Sequence, residues 1–330
     1  MINKSSKIYV AGHRGLVGSA IWNNLVSRGY TNLVGRTHAE LDLMDAAAVR
    51  AFFDSERPDA VVLAAAHVGG IMANLHYRAD FIFQNLQIQQ NVIGEAWRHG
   101  VERLLFLGST CIYPREAPQP MNEACLLTSP LEYTNEPYAI AKIAGLKLCE
   151  SLNLQYGTNY IAVMPTNLYG PGDNFDLEKS HVLPAMIRKF HDAKMANSDH
   201  VTLWGTGTPK REFLWSEDMA DASVHVLLNV DFKDTYNDAV TNSDGILEIR
   251  NCHINVGTGI EHTIREVAEK VKATVGFQGD IVWDTTKPDG TPRKLTDVTK
   301  LHQLGWHHTV DLDEGIEKLY QWFLDHPEHR

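Results

Sequence analysis

The chain has no apolar run approaching the ~20 residues of a membrane span, and Met1 to Lys7 is too polar for a secretory signal. A cytoplasmic protein without a membrane partner is expected. Basic residues are in deficit, 30 Lys and Arg against 41 Asp and Glu, so no surplus exists to neutralise a phosphate backbone. That excludes a general nucleic-acid binder but leaves room for a small anionic ligand held by a few convergent cations. The four cysteines, Cys111, Cys125, Cys149 and Cys252, show no CxxC spacing and are too sparse for a disulfide framework. The 16 histidines include no HExxH and no tight His/Cys cluster, so no metal is expected. Repeats and low-complexity tracts are also missing.

What is present is a regular alternation of strand and helix signals. Lys7-Ile-Tyr-Val-Ala-Gly12 reads as a short strand running into Gly12-His-Arg-Gly15-Leu-Val-Gly18, and a helix follows through Ile21 and Leu25. Strand, glycine loop and helix in that order set backbone N–H groups and a helix N-terminus against a pyrophosphate. The spacing is GxxGxxG, one residue longer before its second glycine than the usual GxGxxG. After the second strand, Asn32 to Arg36, stands Arg36 where NAD binders place an acid, with Arg14 and His38 close by. This favours NADP. Further strands are expected at 59–66, 103–109 and 160–165, and a packed helix at 85–99. The resulting fold class is α/β, a Rossmann-like doubly wound parallel sheet with a smaller C-terminal α/β substrate domain. Residues 1–172 would form the NADP-binding domain, with 211–230 and 253–260 returning to it, and 173–330 mainly the substrate domain. Residues 231–251 are polar and read as a surface excursion.

The stretch 104–142 carries the chemistry. Leu104 to Leu107 is a buried strand that stops at Gly108-Ser-Thr-Cys111, and Thr134-Asn-Glu-Pro137 opens a helix bearing Tyr138 and Lys142. Four residues apart, the phenol and the ammonium share one face, so Lys142 is expected to lower the phenol's pKa from its usual ~10. The spacing means little alone. It gains weight from Ser109 upstream, from the helix start and from the glycine loop at the N-terminus. Cys111 and His181, taken singly, are more often a packing cysteine and a solvated helix-start residue.

Ala11 to Gly18, Gly108-Ser-Thr-Cys-Ile-Tyr-Pro114, Asn135 to Lys142, Met164-Pro-Thr-Asn-Leu-Tyr-Gly-Pro171, Asn255 to Gly259 and Lys287 to Lys294 together resemble the extended short-chain dehydrogenase/reductase superfamily. Within it they resemble the GDP-L-fucose synthase family. The resemblance implies epimerisation of GDP-4-keto-6-deoxy-D-mannose at C3 and C5, followed by NADPH reduction of the C4 ketone. It assigns catalysis to Ser109, Cys111, Tyr138, Lys142 and His181. Cofactor contacts would come from Gly12, His13, Arg14, Gly15, Leu16, Val17 and Gly18, from Arg36 and His38, and from Leu107, Gly108 and Lys142. Pro165, Thr166, Asn167, Leu168 and His181 complete that set. Lys189, Trp204, Arg211, Asp289 and Lys294 would bind the nucleotide sugar, and a homodimer would form through the helices near Asn85 and Tyr138.

This chemistry suits the residues. Both C3 and C5 flank the C4 carbonyl, so removing either proton sends charge to one oxygen, which Tyr138 and Ser109 can stabilise. A thiol near pKa ~8.5 and an imidazole near ~6.5 straddle neutrality. An extended backbone would point Ser109 and Cys111 the same way. Which of Cys111 and His181 acts as acid at each carbon stays open. The nearest alternatives are a nucleotide-sugar 4-epimerase or 4,6-dehydratase. A dehydratase would be expected to carry Asp-Glu where this chain has Cys111-Ile112. Three departures from the family stand out: His38 in place of a more basic residue, Thr110 for a second Ser, and Trp215-Ser-Glu217 for His-Val-Asp.

Overall fold

The computed structural model describes residues 2–177, 180–236, 239–287 and 289–329. The first half of the chain runs β1 (Ile8–Ala11), α1 (Leu16–Ser27), β2 (Leu33–Val34), α2 (Ala46–Glu56), β3 (Ala60–Leu63), α3 (Ile71–His76), α4 (Arg78–Arg98), β4 (Arg103–Leu107), α5 (Glu136–Tyr156) and β5 (Asn159–Pro165). Then come β6 (Asn167–Tyr169), α6 (Val182–Met195), β7 (His200–Trp204), β8 (Lys210–Trp215) and α7 (Ser216–Asn229). A hairpin of β9 (Val240–Thr241) and β10 (Leu247–Glu248) precedes β11 (Ile254–Val256), β12 (Glu261–Thr263), α8 (Ile264–Val275) and β13 (Asp280–Asp284). The chain closes with β14 (Arg293–Lys294), α9 (Thr299–Gln303) and α10 (Leu312–Asp325).

Six strands form a parallel sheet in the order β11-β5-β4-β3-β1-β2. Side chains alternate across it. Tyr9, Val61, Leu104 and Phe106 face a core closed by α2, α4 and α5, while Ile8, Val10, Val62 and Leu105 face α1 and α7. Each fully buried Phe or Leu in these layers contributes roughly 1.5–3 kcal/mol, which is why the strands read as continuous apolar runs. β11 reaches the sheet from far along the chain and pairs with β5.

The outer region has its own core. Tyr169, Phe175, Leu183, Phe190, Phe213, Trp215, Val271 and Phe323 gather α6, α8 and α10 against β8 and its neighbours. Its sheets are short: β12-β8-β14 with β6 also on β8, and β13 on β7. Helix α8 has sequence-encoded ends, a Thr263/Glu266 capping box and Gly276 in the left-handed C-cap conformation at φ +75°.

Several boundaries differ from the sequence reading. Helix α4 begins seven residues before Asn85, at Arg78, because Phe81 is the only buried residue of its first two turns and the apolar period is hidden there. Strand β2 is two residues long. Helix α5 begins at Glu136, so Pro137 follows the first position instead of occupying it, and Asn135 makes no side-chain cap. Strand β8 escapes a hydrophobicity search because it opens Lys210-Arg-Glu212. Glu212 is nevertheless fully buried, its carboxylate accepting from the N–H groups of Thr258 (2.6 Å), Gly259 (2.7 Å) and Thr296 (2.9 Å) and from the Thr296 hydroxyl (2.6 Å). The 231–251 segment opens with a 3-10 turn, Phe232–Thr235, whose Thr235 is buried, and only then becomes the exposed β9–β10 hairpin; Asn237 and Asp238 lie outside the described residues, as does Pro288 of the Lys287 to Lys294 motif. Among the described residues no helix is long and apolar enough to cross a membrane, and no group of three His, Cys, Asp or Glu could hold a metal ion.

Candidate active site

At the carboxyl edge of the sheet the glycine loop meets the fit that a pyrophosphate demands. A Cβ on Gly18 would lie 2.0 Å from the Gly12 carbonyl oxygen, and one on Gly12, at φ +87°, would lie 2.7 Å from the Ala65 nitrogen. Only glycine allows loop, helix and β3 to close so tightly. Gly15 is different, since a Cβ there would make ordinary contact at 3.5 Å, so its surface stays open. Helix α1 starts at Leu16 with no side-chain cap and no acid in its first turn. The amides of Leu16, Val17 and Gly18 are thus available to an anion.

Basic groups collect beside this loop. The carboxyl of Glu40, held low chiefly by hydrogen bonds from Thr37, also feels Arg36 and Arg14. His13 is held below its ordinary pKa by desolvation and by Arg14. Arg36 bonds Glu56 at 2.5 Å and stacks over Phe52, whereas Arg14 is exposed and His38 makes a loose 3.8 Å approach to Asp42.

Ser109 and Cys111 lie just past the end of β4. Gly108 donates to the Val163 carbonyl (2.8 Å), and a Cβ on it would strike Met164 Sδ at 2.3 Å. Ser109 is extended, but the next three residues, Thr110–Ile112, coil into a single 3-10 turn that Ser109 Oγ caps by accepting from the Cys111 N–H (3.2 Å). The extended geometry expected for Cys111 is therefore wrong. A turn brings the partly exposed thiol near Tyr138, close enough that a charge on sulfur disfavours ionisation of the phenol.

The expected effect of Lys142 is also corrected. Desolvation pushes the Tyr138 phenol above its ordinary pKa, Cys111 adds to the rise, and only a hydrogen bond with Ser109 opposes it. Lys142 is buried and donates to the Leu107 carbonyl (2.8 Å), with its Nζ 4.8 Å from the Phe106 ring centre and 5.8 Å from that of Tyr138. Burial lowers its own pKa to about 7. In this arrangement the phenol is held in its protonated form. Beneath it, Phe81 sits edge-on at 6.3 Å and Asn85 clamps the backbone of His67 from both sides (3.0 and 2.9 Å).

From Cys111 a series of polar neighbours leads outward. Lys294 Nζ approaches Cys111 Sγ at 3.7 Å, and Lys294 is paired in register with Arg211 across β14 and β8. Arg211, its pKa lowered by desolvation, is supported by the charge of Asp289. Asp289 accepts from the Thr206 N–H (2.7 Å) and hydroxyl (2.9 Å), beside Gly205 and Trp204. Trp204 is 63% exposed and has Lys189 and Lys287 at 5.8 and 5.6 Å from its ring. His181 precedes the first residue of α6, the helix that carries Lys189, and is exposed. No hydrogen bond or ion pair among the described residues links it with Cys111 or Tyr138; its charge is felt by Asp173. Thr166 and Asn167 lie past the end of β5, Asn167 donating to the Glu212 carbonyl (2.7 Å), and Pro165 and Leu168 flank them.

The profile of the family described as "NAD dependent epimerase/dehydratase family" matches residues 8–240. The GDP-L-fucose synthase of Escherichia coli K12 is 56% identical over 97% of this chain and 97% of its own length. A protein of Arabidopsis thaliana, putative GDP-L-fucose synthase 2, is 56% identical over 98% and 94%. The chain belongs to the NAD dependent epimerase/dehydratases, among the GDP-L-fucose synthases. A solved structure of GDP-mannoheptose C4 reductase from Campylobacter jejuni, with NADP bound, is 42% identical, superposes with a TM-score of 0.89 and covers 98% of this chain and all of that one.

Within this epimerase/dehydratase frame, one contributor has no local sequence signal. Glu212 acts through partners distant in the chain, and nothing in its neighbours announces it. Trp215-Ser-Glu217, which departs from the family pattern, does not line the cleft at its indole: Trp215 is buried against Tyr169 and donates to Glu217 (3.1 Å).

Proposed function

We propose that the protein converts GDP-4-keto-6-deoxy-D-mannose to GDP-L-fucose by epimerisation at C3 and C5 and NADPH-dependent reduction at C4. The observation that supports this reading is the order of neighbours running from Cys111 through Lys294 and Arg211 toward Asp289 and Trp204. It matches a substrate with a keto sugar at one end, a diphosphate in the middle and a base at the other. Lys294, Arg211 and Lys189 supply positive charge along it, and the exposed indole of Trp204 offers a face for the base.

Ser109 and Tyr138 donate to the C4 oxygen, which becomes anionic whenever a proton leaves C3 or C5. Cys111 and His181 hold and return those protons. Tyr138 keeps its proton until the alkoxide at C4 needs it, a state that its raised pKa favours. The cofactor would rest on the amides of Leu16 to Gly18, with Arg14, Arg36 and His38 at its 2′-phosphate and Lys142, Leu107, Gly108 and Pro165 to Leu168 at its other end. When bound, NADPH supplies the hydride for C4. In the cytoplasm the protein would act as a homodimer, joined through α4 and α5, whose Phe83, Ile140 and Leu154 are exposed apolar residues.

The test is NADPH oxidation with GDP- and dTDP-linked 4-keto sugars in deuterated water. Turnover of the GDP sugar with deuterium at both C3 and C5 is expected. Oxidation of NADPH without deuterium uptake would leave a plain C4 reductase, the activity named for the C. jejuni structure.

A further inference from the structure

We propose that Lys294 is the charge partner of the Cys111 sulfur, serving proton exchange at carbon and not only the diphosphate; this rests on the function proposed above. The cavity beside Cys111 is lined by three cations, Arg115, Arg293 and Lys294. Two of them are committed. Arg293 donates to Glu261 (2.7 Å), and Arg115 lies against Glu116 (3.3 Å) and Glu132 (3.5 Å). Lys294 has no carboxylate partner among the described residues, and its ammonium points at Sγ from 3.7 Å.

The position of Lys294 is set by the backbone on both sides of it. Leu295 donates to Gln119 Oε1 (2.8 Å) and accepts from Met121 (2.8 Å), and Thr296 is held by the buried Glu212. On the other side β14 is paired to β8. A lysine stem rising from a segment stitched at this many points does not have to search for its target.

The need for such a partner follows from the chemistry. When sulfur takes a proton from C3 or C5, a C–H bond breaks, an S–H bond forms, and the electron pair passes to the C4 oxygen under Tyr138 and Ser109. When sulfur returns it, the S–H bond breaks, the carbon gains the proton and the electron pair comes back from oxygen. Sulfur is anionic on one side of either step. The other nearby ammonium, Lys142, is turned to the Leu107 carbonyl and is itself desolvated, so Lys294 is left to balance that charge.

The experiment is alkylation of the full-length, ligand-free protein by iodoacetamide at neutral pH, read by peptide mass. Thiolate is the reacting form, and Cys125, Cys149 and Cys252 are buried, so they report unfolding if they label. Lys294→Met should slow labelling of Cys111 about fivefold, the scale of a partly exposed ion pair, and Lys294→Arg should restore most of the rate. If the buried cysteines of Lys294→Met also label, Lys294→Gln takes its place. An unchanged Cys111 rate in a folded neutral variant overturns the proposal, including when KM for the nucleotide sugar rises, since that pattern belongs to diphosphate binding alone. No substrate enters this measurement, so its outcome is independent of whether deuterium uptake bears out the function.

Discussion

The two ends of the site are built differently. Around Tyr138 and Lys142 every position hangs on the six-stranded sheet and the long helix against it: Ser109 on the end of β4, the phenol on α5, and Lys142 on a buried bond to a strand carbonyl. Around Trp204 the strands stand in smaller sheets, β7 with β13 in a two-stranded one, and turns join them, with Gly205, Gly207 and Gly290 at positive φ. Carbonyl chemistry tolerates little displacement of its donors, a demand that the buried central fold suits. Recognition of a base needs only a face and some charge, and short exposed elements suffice.

The largest effects should therefore come from the inner end. Tyr138→Phe removes the proton donor with no change of shape and should lower the reduction rate by about 10³ or more, measured as NADPH oxidation. Cys111→Ser should separate the two activities: deuterium uptake at C3 and C5 falls about 10²-fold or more, while reduction of a ketone already epimerised is spared. Full uptake at both carbons in Cys111→Ser would remove the thiol from the mechanism and erase the distinction between inner chemistry and neighbouring proton exchange. At the outer end Trp204→Ala should act on binding alone. Loss of a stacking face costs about tenfold in KM, with kcat nearly unchanged; an equal fall in kcat would mean that the outer end is not mere recognition.

The same contrast governs how much could be read from sequence. The parallel sheet, the glycine loop and the placing of Tyr138 and Lys142 on one helix were legible because each is local: an apolar run, a spacing of glycines, two residues one turn apart. Strand β8 was not legible, since the satisfaction of Glu212 by Thr258, Gly259 and Thr296 depends on chain 46 to 84 residues away. The turn at Cys111 was missed for a related reason. A serine that caps the next three residues competes with the extended backbone that the preceding strand suggests. The direction of the Tyr138 pKa depended on where Lys142 points, and an i, i+4 spacing fixes only the shared face.

Asp173 lies between the two regions, just after Gly170-Pro-Gly172, and gives the smallest and most specific effect. Its carboxylate is buried, with one oxygen accepting from the Asn174 N–H (2.8 Å) and the other without a hydrogen-bond partner among the described residues. Burial raises its pKa from 3.8 to about 6, against the opposing influences of that bond and of His181. The folded state then holds the proton where the unfolded chain has lost it, so stability falls as pH rises between these two values and stays low above them. Asp173→Asn should remove that slope. At neutral pH it should also stabilise the fold by about 1 kcal/mol, because the relief of burying a charge is partly offset by an amide N–H₂ with the same lack of partners. Urea unfolding across acid to neutral pH measures both. An unchanged slope would mean that Asp173 is ionised in the folded protein as it is in the unfolded one, and burial would then not govern its proton.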